Sequence, residues 1–234
     1  MNRTPIFLLN GVLSVVLIPV IFILFARGGG GGSSGDAFQI ILLLASSNPA
    51  AVILGSALFM TICGCLNGTA SSAFSREGAH FWMSKVIPVS PADQVKAKFL
   101  HSFAVAGLGI LVAAGAAVAV IGAKPGCVLL AMPLALAAAA ALTSVGMIID
   151  LSRPLLKWTN PQKAIKQNFN VLIAFLADAG LLIILTLAVT ALYGEGLGGA
   201  GIIGGLAVFL AGLSFLSFSF LLRIAGRRYA EIEA

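Results

Sequence analysis

Apolar stretches of about 20 residues recur along this chain from end to end, each long enough to cross a hydrocarbon core of about 30 Å as a helix. A water-soluble domain cannot bury that many such stretches, so the solvent for most of the surface is lipid. Composition agrees: 59% of residues are apolar and 9% charged, and the mean hydropathy is +1.07. Soluble domains carry about 25% charged residues. The expected fold class is all-α, a polytopic bundle forming a single transmembrane domain over 1–234.

Six spans are predicted, at 5–26, 37–67, 97–122, 126–150, 168–193 and 199–223. The second is too long for one straight crossing. Ser46-Ser47-Asn48-Pro49 lies within it, and proline removes a backbone donor and disfavours helix just before itself, so a kink or a short re-entrant start is expected there. The first span has no small-residue cleavage site before a soluble domain and reads as a retained span rather than a signal. Residues 28–35, five glycines followed by Ser-Ser-Gly, read as a flexible tether outside the membrane.

Lys and Arg near span ends stay on the cytoplasmic side. Twelve of the 14 cations fall on one face of the predicted topology: Arg3, then Arg76, Lys85, Lys96 and Lys98, then Arg153, Lys157, Lys163 and Lys166, then Arg223, Arg227 and Arg228. Arg27 and Lys124 alone fall on the other, so both termini are expected in the cytoplasm. Because these cations are scattered between hydrophobic spans, the net charge of +6 is no basic nucleic-acid face.

Two connections on the cationic face hold most of the polar and aromatic residues outside the spans. In the first, 68–96, Phe81, Trp82, Lys85 and Val86 fall at helical spacing, with Arg76 and Glu77 before them and Pro88 closing the pattern. The spacing predicts a short amphipathic helix at the inner surface. Two roles fit it: resting on membrane lipid through its aromatics and cations, or coupling to a cytosolic partner. In the second, 151–167, Thr159 or Asn160 is expected to cap a helix that has Pro161 at its first position and runs on into the fifth span. Asp150 and Arg153 are close enough in sequence to pair at the membrane boundary.

Asp178 is the clearly ionisable residue within a span, about 15 Å along its helix. A carboxylate at that depth is costly and usually has a partner or a task. Pairing with Asn, Ser or Thr on a neighbouring helix and a place on a transport pathway both fit. His101, at the inner end of the third span, reads as an interfacial or hydrogen-bonded residue. Cys63, Cys65 and Cys127 read as small core residues, since Cys63 and Cys65 would point about 200° apart on a helix. The Asn67-Gly68-Thr69 sequon faces the cytoplasm, where it is void. The chain has no phosphate-binding G-x-x-x-x-G-K-[ST] loop and no H-E-x-x-H or nucleophile elbow, so no enzymatic activity of its own is expected.

The two connections resemble a known family. Ser-Arg-Glu-Gly, Phe-Trp, Lys85 and Ile-Pro-Val-Ser at 75–90, with Asp150, Arg153-Pro154, Trp158, Asn160-Pro161 and Lys166-Gln167-Asn168, are similar to motifs of bacterial ABC transporter permeases of the type-two exporter kind. The resemblance covers about residues 55–190. It implies a multi-pass subunit of the bacterial plasma membrane that drives efflux with a separate cytosolic ATPase, ATP and Mg being held by that partner. Arg76, Glu77, Gly78, Phe81, Trp82, Lys85 and Pro88 would form the coupling element and the second connection part of the same docking surface. Because such permeases are often about twice this length, the resemblance also implies a half-size or truncated form working as a homodimer or with a second permease chain. Two other readings stay open: a non-transporting scaffold or regulatory subunit, and an ion-coupled carrier with Asp178 as its proton or cation site.

Overall fold

The computed structural model describes residues 11, 13–21, 24, 48–120 and 122–232, and among them it contains helices and no strand. A helical stretch covers 13–21. It is followed by α1 (Pro49–Cys65), a 3-10 segment (Ser75–His80), α2 (Phe81–Val86), α3 (Pro91–Ala119), α4 (Pro125–Ser152), α5 (Lys163–Lys166), α6 (Phe169–Gly194) and α7 (Gly199–Glu231). Four of these, α3, α4, α6 and α7, are long and apolar enough to cross a membrane. The 17 residues of α1 are apolar but fall just short of that length. Thus the last four predicted spans each have a helix, and the second has the shorter α1. The tether at 28–35, half of the first predicted span and residues 37–47 of the second lie outside the described residues.

Local chemistry sets where the helices begin. The Asn48 side chain accepts the Ala50 N–H at 3.0 Å and Pro49 follows it, which makes Asn48 the N-cap of α1; residues 37–47 of the predicted second span, where a kink or re-entrant start was expected to begin, lie outside the described residues. At the other end Asn67 donates to the Gly64 carbonyl at 2.7 Å and accepts from the Thr69 N–H at 2.8 Å, so the sequon residues close the helix. Helix α3 starts six residues before the predicted span. The Ser90 Oγ accepts the Asp93 N–H at 3.1 Å and donates to the Asp93 carboxylate at 2.7 Å, forming a reciprocal cap with Pro91 in the first turn.

Helix α7 runs eight residues beyond the predicted end at 223. Its 33 residues span about 50 Å at 1.5 Å per residue, well over the thickness of a hydrocarbon core. The extra turns continue the apolar stripe Leu221, Ala225 and Tyr229, which is buried against Phe74, Phe81, Val95, Met147 and Leu151. A second apolar cluster, formed by Ile53, Met60, Ile110, Ala135, Ala139 and Leu210 among others, fills the middle of the bundle.

Helix α4 lies at the centre and packs most extensively on α7 and α1. Over the most apolar window of each helix, 56% of residues are buried in α4 but only 6% in α6, which therefore lies at the periphery. Small residues permit the central packing. Where α1 crosses α3, a Cβ on Gly64 would lie 2.8 Å from the Ala106 carbonyl oxygen, and one on Gly109 would lie 2.9 Å from that of Cys63. The backbones meet there, and Cys63 is a buried free thiol in the contact, as expected of a small core residue.

Gly109→Leu is expected to cost about 1–3 kcal/mol, because backbone cannot move aside as a side chain can. Gly107→Leu, two residues away with open space around its Cα, should stay within about 0.5 kcal/mol of the parent. Unfolding midpoints in mild detergent compare the two.

Candidate functional site

The end of the bundle where α1, α4 and α7 finish also receives both connections, and there the two predicted motifs meet. Asp150, in the last turn of α4, is completely buried. Its Oδ2 accepts the backbone N–H of Phe74 at 2.7 Å and of Ser75 at 3.0 Å. Its Oδ1 accepts the Ser75 hydroxyl and, at 3.0 Å, the Asn170 amide. Four donors thus replace the water a carboxylate loses on burial. The expected pairing with Arg153 is not what forms: that side chain is exposed, and its backbone carbonyl accepts from Asn170 at 2.6 Å.

Ser75 is the hub of the knot. While its hydroxyl donates to Asp150, its oxygen accepts the Leu155 N–H at 2.9 Å, and its carbonyl accepts the Trp158 indole N–H at 2.8 Å. The same indole covers Gly78. That residue has φ of +54°, a conformation suited to glycine, and any Cβ there would sit 2.6 Å from Trp158 Cζ2. The short helix expected here does form around Phe81, Trp82, Lys85 and Val86, but Arg76 and Glu77 fall in a separate 3-10 segment before it. The 3-10 segment Ser75–His80 is kinked at Gly78, and only Phe81–Val86 is α-helical.

Several residues predicted to face a partner turn inward. Arg76 is buried and donates to the carbonyls of Ser72 at 3.2 Å and Thr69 at 2.7 Å. Burial lowers its pKa to about 10, with Asp150 and Glu77 opposing the shift. Glu77 pairs with the buried Lys98 and accepts the Ser84 hydroxyl at 2.8 Å. Phe81 is fully buried, 5.3 Å from the ring of Tyr229. Lys85 reaches the backbone carbonyls of Ala230 and Ile232 at the end of α7. Gln94 donates to the carbonyls of Ser84 and Val89 at 2.8 and 3.1 Å, which ties α2 and the turn after it to the start of α3.

The outer face of α2 and the turn after it is apolar and uncovered among the described residues. Trp82 is 52% exposed and Val86 72%, with Met83, Ile87, Pro88 and Val89 exposed beside them. Charged and buried residues therefore hold the platform, and exposed apolar ones form its surface.

In the second connection Asn160 accepts the Gln162 N–H at 2.9 Å, a local turn beside Pro161. The helix it precedes is short, however: α5 ends at Lys166 and does not run into α6. Asn168 breaks it by capping the next helix, accepting the Asn170 N–H at 2.9 Å and donating back to the Ala164 carbonyl at 3.1 Å. Lys166 and Gln167 are exposed. Pro154 lines a surface groove of about 420 Å³ with Leu155, Lys157, Arg228, Glu231 and Ile232. Asp178 stands apart from all of these, midway along α6.

Residue-by-residue reading missed the roles of Ser75 and Asn170. Ser75 opens the first motif and Asn170 follows the second by two positions, and their roles have meaning only once the motifs are known to touch. No family model matches this sequence, and no curated protein or solved structure matches it either.

Asp150→Ala leaves two buried backbone N–H groups without an acceptor and is expected to cost at least about 3 kcal/mol. Trp158→Phe removes one neutral hydrogen bond and should cost about 1 kcal/mol. Chemical denaturation in detergent measures both, and for Asp150→Ala limited proteolysis should show new cleavage within 74–90.

Proposed function

We propose that this chain is the membrane-spanning permease subunit of an ATP-driven exporter in the bacterial plasma membrane, with α2 as the element that docks on a separate cytosolic ATPase. One observation carries the reading. A short helix exposes Trp82, Met83, Val86 and Ile87 from a base held by Asp150, Ser75, Trp158 and the Glu77–Lys98 pair. Large exposed apolar side chains on a rigid support are the usual anchors of a protein interface. A lipid-resting helix needs the same apolar face but no such base, because the membrane itself orients it.

The base also supplies a route for coupling. It joins α2 to the start of α3 through Lys98 and Gln94, to the end of α4 through Asp150, to the start of α6 through Asn170, and to the end of α7 through Lys85 and Phe81. A push on α2 therefore reaches four long helices. ATP and Mg belong to the partner in this scheme, and a full pathway takes a second copy of this chain or another permease chain. An apolar cleft of about 190 Å³ between α1, α4, α6 and α7 suits an apolar or amphiphilic cargo entering from the membrane; Leu58, Leu134, Leu182 and Leu206 are among its lining.

Affinity purification of the full chain from its native membrane in mild detergent tests this. An ATPase should co-purify with the parent and fall at least tenfold with Trp82→Ala combined with Val86→Ala, while the unfolding midpoint of the purified chain stays unchanged. Lack of an ATPase with the parent chain would overturn the exporter reading in favour of a scaffold, and its full retention in the double variant would remove α2 as the docking element.

A further inference from the structure

The second polar concentration lies inside the bundle. Asp178 on α6 is 9% exposed, and its Oδ1 has no hydrogen-bond partner. Ser102 on α3 is 2% exposed, and its hydroxyl has none either. Both line one small cavity with Thr143 of α4 and with Asn67 and Ser71 of the loop after α1. Its volume of about 20 Å³ is enough for a single water-sized guest. Among the described residues no cation forms an ion pair with Asp178.

We propose that this cavity binds one monovalent, sodium-sized cation, with Asp178 as the charged ligand and Ser102, Thr143 and Ser71 as neutral oxygen ligands. The donor set decides the class. A carboxylate with three hydroxyls is a predominantly hard-oxygen site; the Cys65 thiol is the one soft donor in the lining and imidazole is absent from it, so alkali or alkaline-earth ions fit better than zinc or copper, which take several sulfur or nitrogen ligands. Charge then selects the valence. One carboxylate neutralises a monovalent ion, whereas a divalent ion would leave a net positive charge within an apolar bundle, at high cost. Asn67 contributes less, because its amide already closes α1, although its Oδ1 retains a second lone pair.

The site joins four parts of the chain. Its charged ligand is on the least packed helix, so an ion there ties α6 to α3, α4 and the loop after α1. This inference does not rest on the exporter reading, and it holds for a transporter or a scaffold alike.

The test is thermal unfolding of the purified full-length chain in detergent, in sodium, potassium or choline chloride at equal ionic strength. At sodium about 100-fold above its dissociation constant, the midpoint should rise by roughly 5–10 °C relative to choline. Asp178→Asn, close in shape, should abolish the rise. Ser102→Ala should shift its midpoint to about tenfold higher sodium, and it keeps the test decisive if the Asp178 variant does not fold. Equal midpoints of the parent chain in sodium and choline would overturn the proposal. A sodium effect that persists in Asp178→Asn would overturn it as well.

Discussion

A buried carboxylate holds one end of this molecule together. Asp150 is removed from water, and the cost of that is met only because Phe74, Ser75 and Asn170 all present donors to it. Those residues lie 76, 75 and 20 positions away in sequence. The carboxylate therefore brings together the end of α4, the turn after α1 and the first turn of α6. Everything on that end is built on the contact: the kink at Gly78, the lid that Trp158 forms over it, and the orientation of α2. Replacing the network with apolar packing would save the desolvation cost but would leave the backbone amides of 74 and 75 without acceptors.

The rest of the bundle divides into a tightly and a loosely held part. Helices α1, α3 and α4 approach closely because glycine and alanine line their contacts, and α7 completes their core. Helix α6 is different. Its first turn is fixed by the Asn168 cap and the Asn170 bonds, while its length makes few buried contacts. A helix anchored at one end and sparsely packed elsewhere can change tilt with little loss of packing, and low local contact density marks the least stable parts of a fold. Both polar sites depend on this helix, one through Asn170 and the other through Asp178. Helix α6 therefore contributes to both the hydrogen-bonded base under α2 and the cavity lined by Asp178 and the loop after α1.

The sequence by itself determined the all-helical class and the long apolar helices, because lipid exposure forces continuous apolar runs whose backbone is satisfied internally. It also singled out both polar connections and isolated Asp178. The helix starts at Asn48, Ser90 and Asn168 emerged only with the structure: a kink or re-entrant start was expected near Asn48, the third span from 97, and a helix running through Asn168. Only the tertiary structure decided which of those residues face inward. Arg76, Glu77 and Phe81 look like a docking surface in sequence, yet they are internal because Ser72, Lys98 and Tyr229 come to meet them. Asp150 lies nearer in sequence to Arg153 than to Phe74, but two backbone amides, the Ser75 hydroxyl and the Asn170 amide satisfy its carboxylate, and the buried cation that feels its charge is Arg76. The kink before α2 likewise lies under the Trp158 ring, which closes on Gly78 across 80 residues, a contact no local pattern encodes.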